Sequence, residues 1–228
     1  MTPAAPDLYC SAPFRKELLP LLVIGLGNPG SEYVGSRHNV GFEVVERLAL
    51  REGLLFEPGA HLNGYSGPTD FEFARAHVPD VLLVRPLTFM NRSGDVVGPL
   101  VAWNGGETSS LLVVYDDLDL DFGVLRIRAG GGHGGQNGMR SIIGKLEDER
   151  FARLRVGIGR PRTDAARHVL GRFTAEERIQ IDDAVVRAAE AIWAWLIGGK
   201  LPEVMSRFHS RWTLDEKPTP NAGGTRLP

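Results

Sequence analysis

The chain has 228 residues, of which 43% are hydrophobic and 24% charged, with a formal net charge of −2 and a single cysteine. That is ordinary globular material, most economically one α/β domain with loose ends; it excludes an internal disulfide framework. No apolar run approaches membrane-spanning length, and the N-terminus lacks the charged-then-apolar order of a signal peptide, so a cytoplasmic protein with no membrane partner is expected.

Residues 1–19 are rich in Ala and Pro without a period and read as a flexible extension. The apolar run Leu21 to Ile24 predicts a buried strand that ends in a glycine-rich turn carrying Asn28, with Pro29 biasing Asn28 towards extended backbone. Gly25, Gly27 and Gly30 spell the dinucleotide fingerprint G-x-G-x-x-G. That fingerprint needs a helix directly after the turn and an acid about 20 residues on. Pro29, Gly35 and the polar run Ser31 to Asn39 delay the helix, and Glu43 and Glu46 fall inside it, so dinucleotide binding ranks low. From His38 to Arg51, Val44, Val45, Leu48 and Ala49 share one side, the spacing of a helix on a sheet.

A turn-rich stretch from Glu57 to Asp70 precedes candidate strands Phe71 to His77 and Val81 to Arg85. Pro86 ends the second. Thr88-Phe89-Met90-Asn91 then leads into a helix with Val96, Val97, Leu100 and Val101 as its buried side, and from the letters alone Asn91 is a cap. Leu111 to Tyr115 is a further strand, with Asp116 at its end. Ligands of open α/β sheets bind beyond the carboxyl ends of strands, where Asn28, Asn91 and Asp116 would gather.

Asp117, Asp119 and Asp121 suggest a metal loop, but Phe122 stands where an EF-hand needs Gly, and Arg128 where it needs a bidentate Glu. A polar turn is the favoured reading, a looser magnesium site the alternative. The segment Arg126 to Arg172 holds eleven Lys/Arg against four Asp/Glu, a local +7 that leaves −9 for the rest. Arg126 and Arg128 alternate with Leu125 and Ile127, and Arg153 and Arg155 with Leu154 and Val156. Each predicted strand therefore shows two arginines on one face, which suits a polyanion, whereas the bland reading is a solvated charged face. Between these strands lie the glycine loop Gly130 to Gly138, either an anion-binding backbone or a plain connector, and a short helix, Met139 to Leu146. Arg160 to Arg172 reads as basic and mobile. Thr174 opens a last long helix, in which Trp193 and Trp195 read as core. The tail after Trp212 reads as flexible.

Six histidines offer a base. His61, His77, His168 and His209 read as surface residues, and His133, in the glycine loop, is a close rival to His38. His38 is preferred because Asp116 projects from a parallel strand end, where a carboxylate can orient the imidazole. There is no G-x-S-x-G elbow, and Cys10 is misplaced, so water is the expected nucleophile. An imidazole with its ordinary pKa of about 6.5 suits activation near neutrality. Clustered asparagines would bind a carbonyl oxygen and the charge developing on it.

The strings GLGNPGSEY, RHNVG, TFMN, DDLDL, GGGHGGQNG and RVGIGRP, in that order from about Leu21 to Phe208, closely resemble those of bacterial-type peptidyl-tRNA hydrolases. The resemblance implies one three-layer α/β/α domain with a twisted, mixed, mostly parallel sheet, spanning 20–212 between flexible segments 1–19 and 213–228. It implies hydrolysis of the ester between a peptide and the 3′ ribose of tRNA, by a monomer without metal or cofactor. His38 would be the base and Asp116 its orienting carboxylate. Asn28, Tyr33, Phe89, Met90, Asn91 and Asn137 would bind substrate, which overrides the capping reading of Asn91, and Arg126, Arg128 and Arg155 would hold tRNA phosphates. Gln136 departs from the family pattern, standing where a histidine is familiar. The other readings are an RNA-binding protein of the same fold that spares the ester, a nicotinamide-dependent oxidoreductase, and a generic esterase.

Overall fold

The structure, a computed structural model, describes residues 20–161 and 164–209. The expected extensions, 1–19 and 213–228, lie outside the described residues. The described strands form one sheet: β1 (Leu21–Gly25), β2 (Glu57–Pro58), β3 (Phe71–His77), β4 (Asp80–Pro86), β5 (Leu111–Asp117), β6 (Leu125–Arg128) and β7 (Ala152–Gly157). Their spatial order is β2-β3-β4-β1-β5-β7-β6. The centre β4-β1-β5-β7 is parallel, and β3, β2 and β6 join it antiparallel, so the sheet is mixed with antiparallel margins. Central strands covered on both faces read as unbroken apolar runs, which is why LLVI and LLVVY stood out in the sequence.

The helices are α1 (Val40–Arg51), α2 (Gly94–Trp103), α3 (Asn137–Leu146), α4 (Ala165–Leu170), α5 (Ala175–Leu196) and α6 (Leu201–Phe208). Alternation along β1 sends Val23 to a core with Val44, Val45 and Leu48 of α1, Ile181 and Val185 of α5, and Val204 of α6. Leu22 and Ile24 go to the opposite core, with Val97 and Leu100 of α2 and Met139 and Ile142 of α3. Each such side chain contributes about 1.5–3 kcal/mol on leaving water. Two apolar faces therefore need two helical layers, and the domain is three-layered. No described helix is long and apolar enough to cross a membrane.

The fingerprint glycines serve packing. A methyl on Gly25 would collide with the Gly41 carbonyl oxygen, and one on Gly27 would lie 2.7 Å from the Phe42 ring, so both let α1 press onto the end of β1. After Gly30 the chain makes a short 3-10 turn, Ser31–Tyr33, and α1 begins only at Val40. His38, predicted to open the helix, consequently sits in a second 3-10 turn, Arg37–Asn39, ahead of α1. The segment expected to be mobile contains α4, whose first N–H groups are met by the Asp164 side chain, accepting from Ala166 N at 2.9 Å. Thr174 starts α5 as predicted, through a reciprocal capping box with Glu177.

Candidate active site

The carboxyl end of β5, the His38 turn and the start of α3 face a cleft of about 250 Å³, lined by His38, Asp116, Gln136 and Asn137 and closed on one side by Ala165, Ala166 and Val169 of α4; Asn28, Tyr33, Phe89, Met90 and Asn91 are not among its lining residues. At its floor His38 Nδ1 and Asp116 Oδ2 are 2.8 Å apart, and both residues are buried. A carboxylate is an acceptor, so this bond places the proton on Nδ1 and leaves the Nε2 lone pair free. The lining residues include no Ser, Thr or Cys.

Asn28, just past β1, is held by a neighbour that its sequence pattern does not single out. Asn28 N donates to Asn39 Oδ1 at 2.9 Å while Asn39 Nδ2 donates to Asn28 O at 3.0 Å. The Asn28 side chain accepts from Met90 N at 2.8 Å, which commits its oxygen and leaves its amide nitrogen as a donor. Met90 is buried, and its sulfur lies 3.2 Å from Gln136 Nε2. Gln136 in turn donates to Asp116 Oδ1 at 3.1 Å. One connected set of interactions therefore runs from Asn28 through Met90 and Gln136 to Asp116 and His38.

Tyr33 and Phe89 meet edge to face with ring centroids 6.3 Å apart, Phe89 being 53% exposed. Asn91 is exposed in the 3-10 turn Met90–Arg92, and α2 takes Ser93 as its first flanking residue, so Asn91 is not its cap. Asn137 opens α3 and accepts from Arg140 at 2.8 Å. His133 is spent inside its own loop, its Nδ1 accepting from Gly135 N at 3.0 Å. His209, expected at the surface, accepts from the Ile127 N–H at 2.8 Å along the free edge of β6; burial and the charges of Arg126 and Arg128 lower its pKa.

The His38 turn is anchored from behind. Arg37, buried next to it, donates to the Arg172 carbonyl at 2.9 Å and to Glu177 at 2.6 Å, and lies over the Phe173 ring. Burial pushes the Glu177 carboxyl up, but the Arg37 hydrogen bond and the Thr174 N–H outweigh it, and the net pKa is lowered. Nothing in the composition of SRHN pointed to this, because the partner lies 140 positions away.

The arginine face is only half as predicted. In the β6–β7 register Arg126 opposes Arg155 and Arg128 opposes Arg153, so all four share a face. Arg126 and Arg128 are exposed. Arg155 is partly covered and donates to Asp117. Arg153 is 2% exposed and points its guanidinium at the carbonyls of Gly131, Gly132 and Glu149, which fastens the glycine loop and buries the charge away from solvent. The aspartates after β5 form the favoured polar turn: Asp117 accepts from Asp119 N at 2.8 Å, and Asp119 pairs with Arg160 at 2.9 Å. Among the described residues no three His, Cys, Asp or Glu side chains converge as a metal-ligand set.

The peptidyl-tRNA hydrolase family pattern matches residues 22–217. A peptidyl-tRNA hydrolase of Syntrophomonas wolfei is 46% identical over 180 residues, 78% of this chain and 94% of its own. One from Caldanaerobacter subterraneus is 44% identical over 189 residues, 82% of this chain and 98% of its own. The crystal structure of the Acinetobacter baumannii peptidyl-tRNA hydrolase superposes with a TM-score of 0.76 at 36% identity, covering 85% of this chain and 96% of that one.

Proposed function

The chain belongs to the peptidyl-tRNA hydrolase family, and from that premise we propose how its own residues carry out the reaction. It cleaves the ester of peptidyl-tRNA and releases the tRNA. The observation that carries the mechanism is the 2.8 Å His38–Asp116 hydrogen bond in a cleft with no side-chain nucleophile. His38 Nε2 takes a proton from water, and the resulting hydroxide attacks the ester carbonyl carbon. Asp116 holds the tautomer that keeps Nε2 basic and stabilises the imidazolium that forms. The imidazolium then returns the proton to the departing ribose oxygen.

The Asn28 amide nitrogen donates to a carbonyl of the peptide end, with Asn91 and Asn137 as further polar partners. Tyr33 and Phe89 present aromatic surface, and Met90 an apolar one, to the aminoacyl and terminal nucleotide portion. Arg126 and Arg128, with Arg155 beside them, bind tRNA phosphates. The protein acts as a cytoplasmic monomer and needs no cofactor for this chemistry.

Release of labelled N-acetyl-aminoacyl groups from tRNA tests the assignment. His38→Ala and Asp116→Ala should each lose activity by about a thousandfold or more while still binding tRNA. Wild-type turnover in His38→Ala would end this reading of the dyad.

A further inference from the structure

Gln136 touches the dyad carboxylate, the buried Met90 sulfur and a helix terminus at once. Its Oε1 accepts from Met139 N at 2.8 Å, which caps α3. A backbone N–H can only donate, so this bond fixes which end of the amide is oxygen and turns Nε2 towards Asp116 Oδ1, 3.1 Å away. Asp116 is thereby split: Oδ1 receives a neutral donor and Oδ2 faces His38. Gly138 makes the arrangement possible, since a methyl there would lie 2.6 Å from the Met90 sulfur and 3.0 Å from Gln136 Oε1.

We propose that Gln136 is a positioning residue of the hydrolytic reaction, holding the Asp116 carboxylate in the rotamer that orients His38 and moderating the charge that the imidazole feels. The proposal rests on the reading of His38 and Asp116 given above. Only a side chain that donates and accepts in fixed directions fits between the α3 terminus and a carboxylate. A primary amide does so without titrating, whereas an imidazole in its place gains a second proton near its ordinary pKa of about 6.5 and can no longer accept from Met139 N. The amide therefore keeps both bonds, from Met139 N and to Asp116, with no change of charge beside the dyad through the range in which an imidazole titrates. Among the described residues that line the cleft there is no Lys or Arg, and the carboxylates beside the dyad are paired, Asp117 with Arg155 and Asp119 with Arg160.

The test is the pH dependence of kcat and kcat/KM on N-acetyl-aminoacyl-tRNA for the wild type, Gln136→Glu, Gln136→Ala and Gln136→His, with Tm for each and His38→Ala as control. Gln136→Glu is decisive, because it keeps the oxygen that caps α3 and changes only the group facing Asp116. It should keep Tm and KM, lose kcat, and raise the pH of half-maximal kcat/KM by roughly one unit, as expected for a second carboxylate beside the first. Gln136→Ala should lose kcat by about tenfold, an effect of the size seen when an outer hydrogen-bond partner is removed. Gln136→His should approach wild type at pH 8 and fall away below about pH 6.5. A Gln136→Glu enzyme with the wild-type kcat and pH profile overturns the inference, as does a Gln136→Ala defect confined to Tm or KM. Activity surviving in His38→Ala removes the underlying reading instead, whatever the Gln136 variants do.

Discussion

The cleft floor and the arginine face are built from the same sheet, yet they treat charge in opposite ways. At the floor each functional polar group is buried and held: His38 by Asp116, Asp116 by Gln136, Asn28 by Asn39 and Met90. On the β6–β7 margin the two outer arginines, Arg126 and Arg128, are exposed, Arg155 is half-buried and shared with Asp117, and Arg153 is buried against three loop carbonyls. Bond-making chemistry needs groups fixed in direction before substrate arrives. Phosphate attraction works through water at several ångströms and needs only that the charge be free. Two arginines on neighbouring strands of one face can therefore do unrelated work, and burial, not residue type, separates them.

That contrast can be broken most sharply at the floor. Asp116→Asn keeps the shape but offers the His38 ring an amide that cannot stabilise its cation, and kcat should drop by about 10³- to 10⁴-fold with tRNA affinity unchanged. Next in size, Arg153→Met leaves the Gly131, Gly132 and Glu149 carbonyls without their donor; urea unfolding should show a loss of about 3 kcal/mol. A change under about 0.5 kcal/mol, the usual range for an exposed site, would place Arg153 with the outer arginines after all. Arg126→Ala together with Arg128→Ala should leave kcat at saturation and Tm in place. It should make the log–log salt dependence of tRNA binding shallower by about 0.9 for each phosphate that the variant no longer neutralises on duplex-like RNA. An unchanged slope would mean that the exposed pair does not face the tRNA.

The smallest effect concerns His209 at the edge of that face. Its folded pKa lies below its unfolded one, because burial and the two arginines disfavour the charged ring. A depressed cationic group contributes stability that is present above the unfolded pKa of about 6.5 and is lost as pH falls towards the folded value. Protection of the Ile127 amide against hydrogen exchange should decline over that interval in the wild type and show no such step in His209→Ala.

Much of this was legible in the letters where chemistry and periodicity coincide. Asn28 and Asp116 follow apolar runs that become neighbouring central parallel strands, and the end of the second opens onto the cleft. Thr174 with Glu177 three positions on announced a helix start because a capping box is a local device. What stayed hidden was set by distant partners. Asn39 read only as the end of a polar run, yet its side chain is turned to the Asn28 backbone. Alternation placed Arg153 and Arg155 on one face but could not say that a loop about 20 residues earlier folds over one of them. Gln136 stood out only as a departure, since its three partners converge from β5, the turn after β4 and α3.

The anchoring of the His38 turn also bears on when the molecule becomes competent during its own synthesis. Arg37 is secured by Arg172 and Glu177, 135 and 140 positions downstream. A nascent chain in which the ribosome still shelters those residues already carries His38 and Asp116 but lacks the clasp behind them. The turn that holds the base of the dyad thus gains its clasp only after residue 177 has left the machinery that makes it.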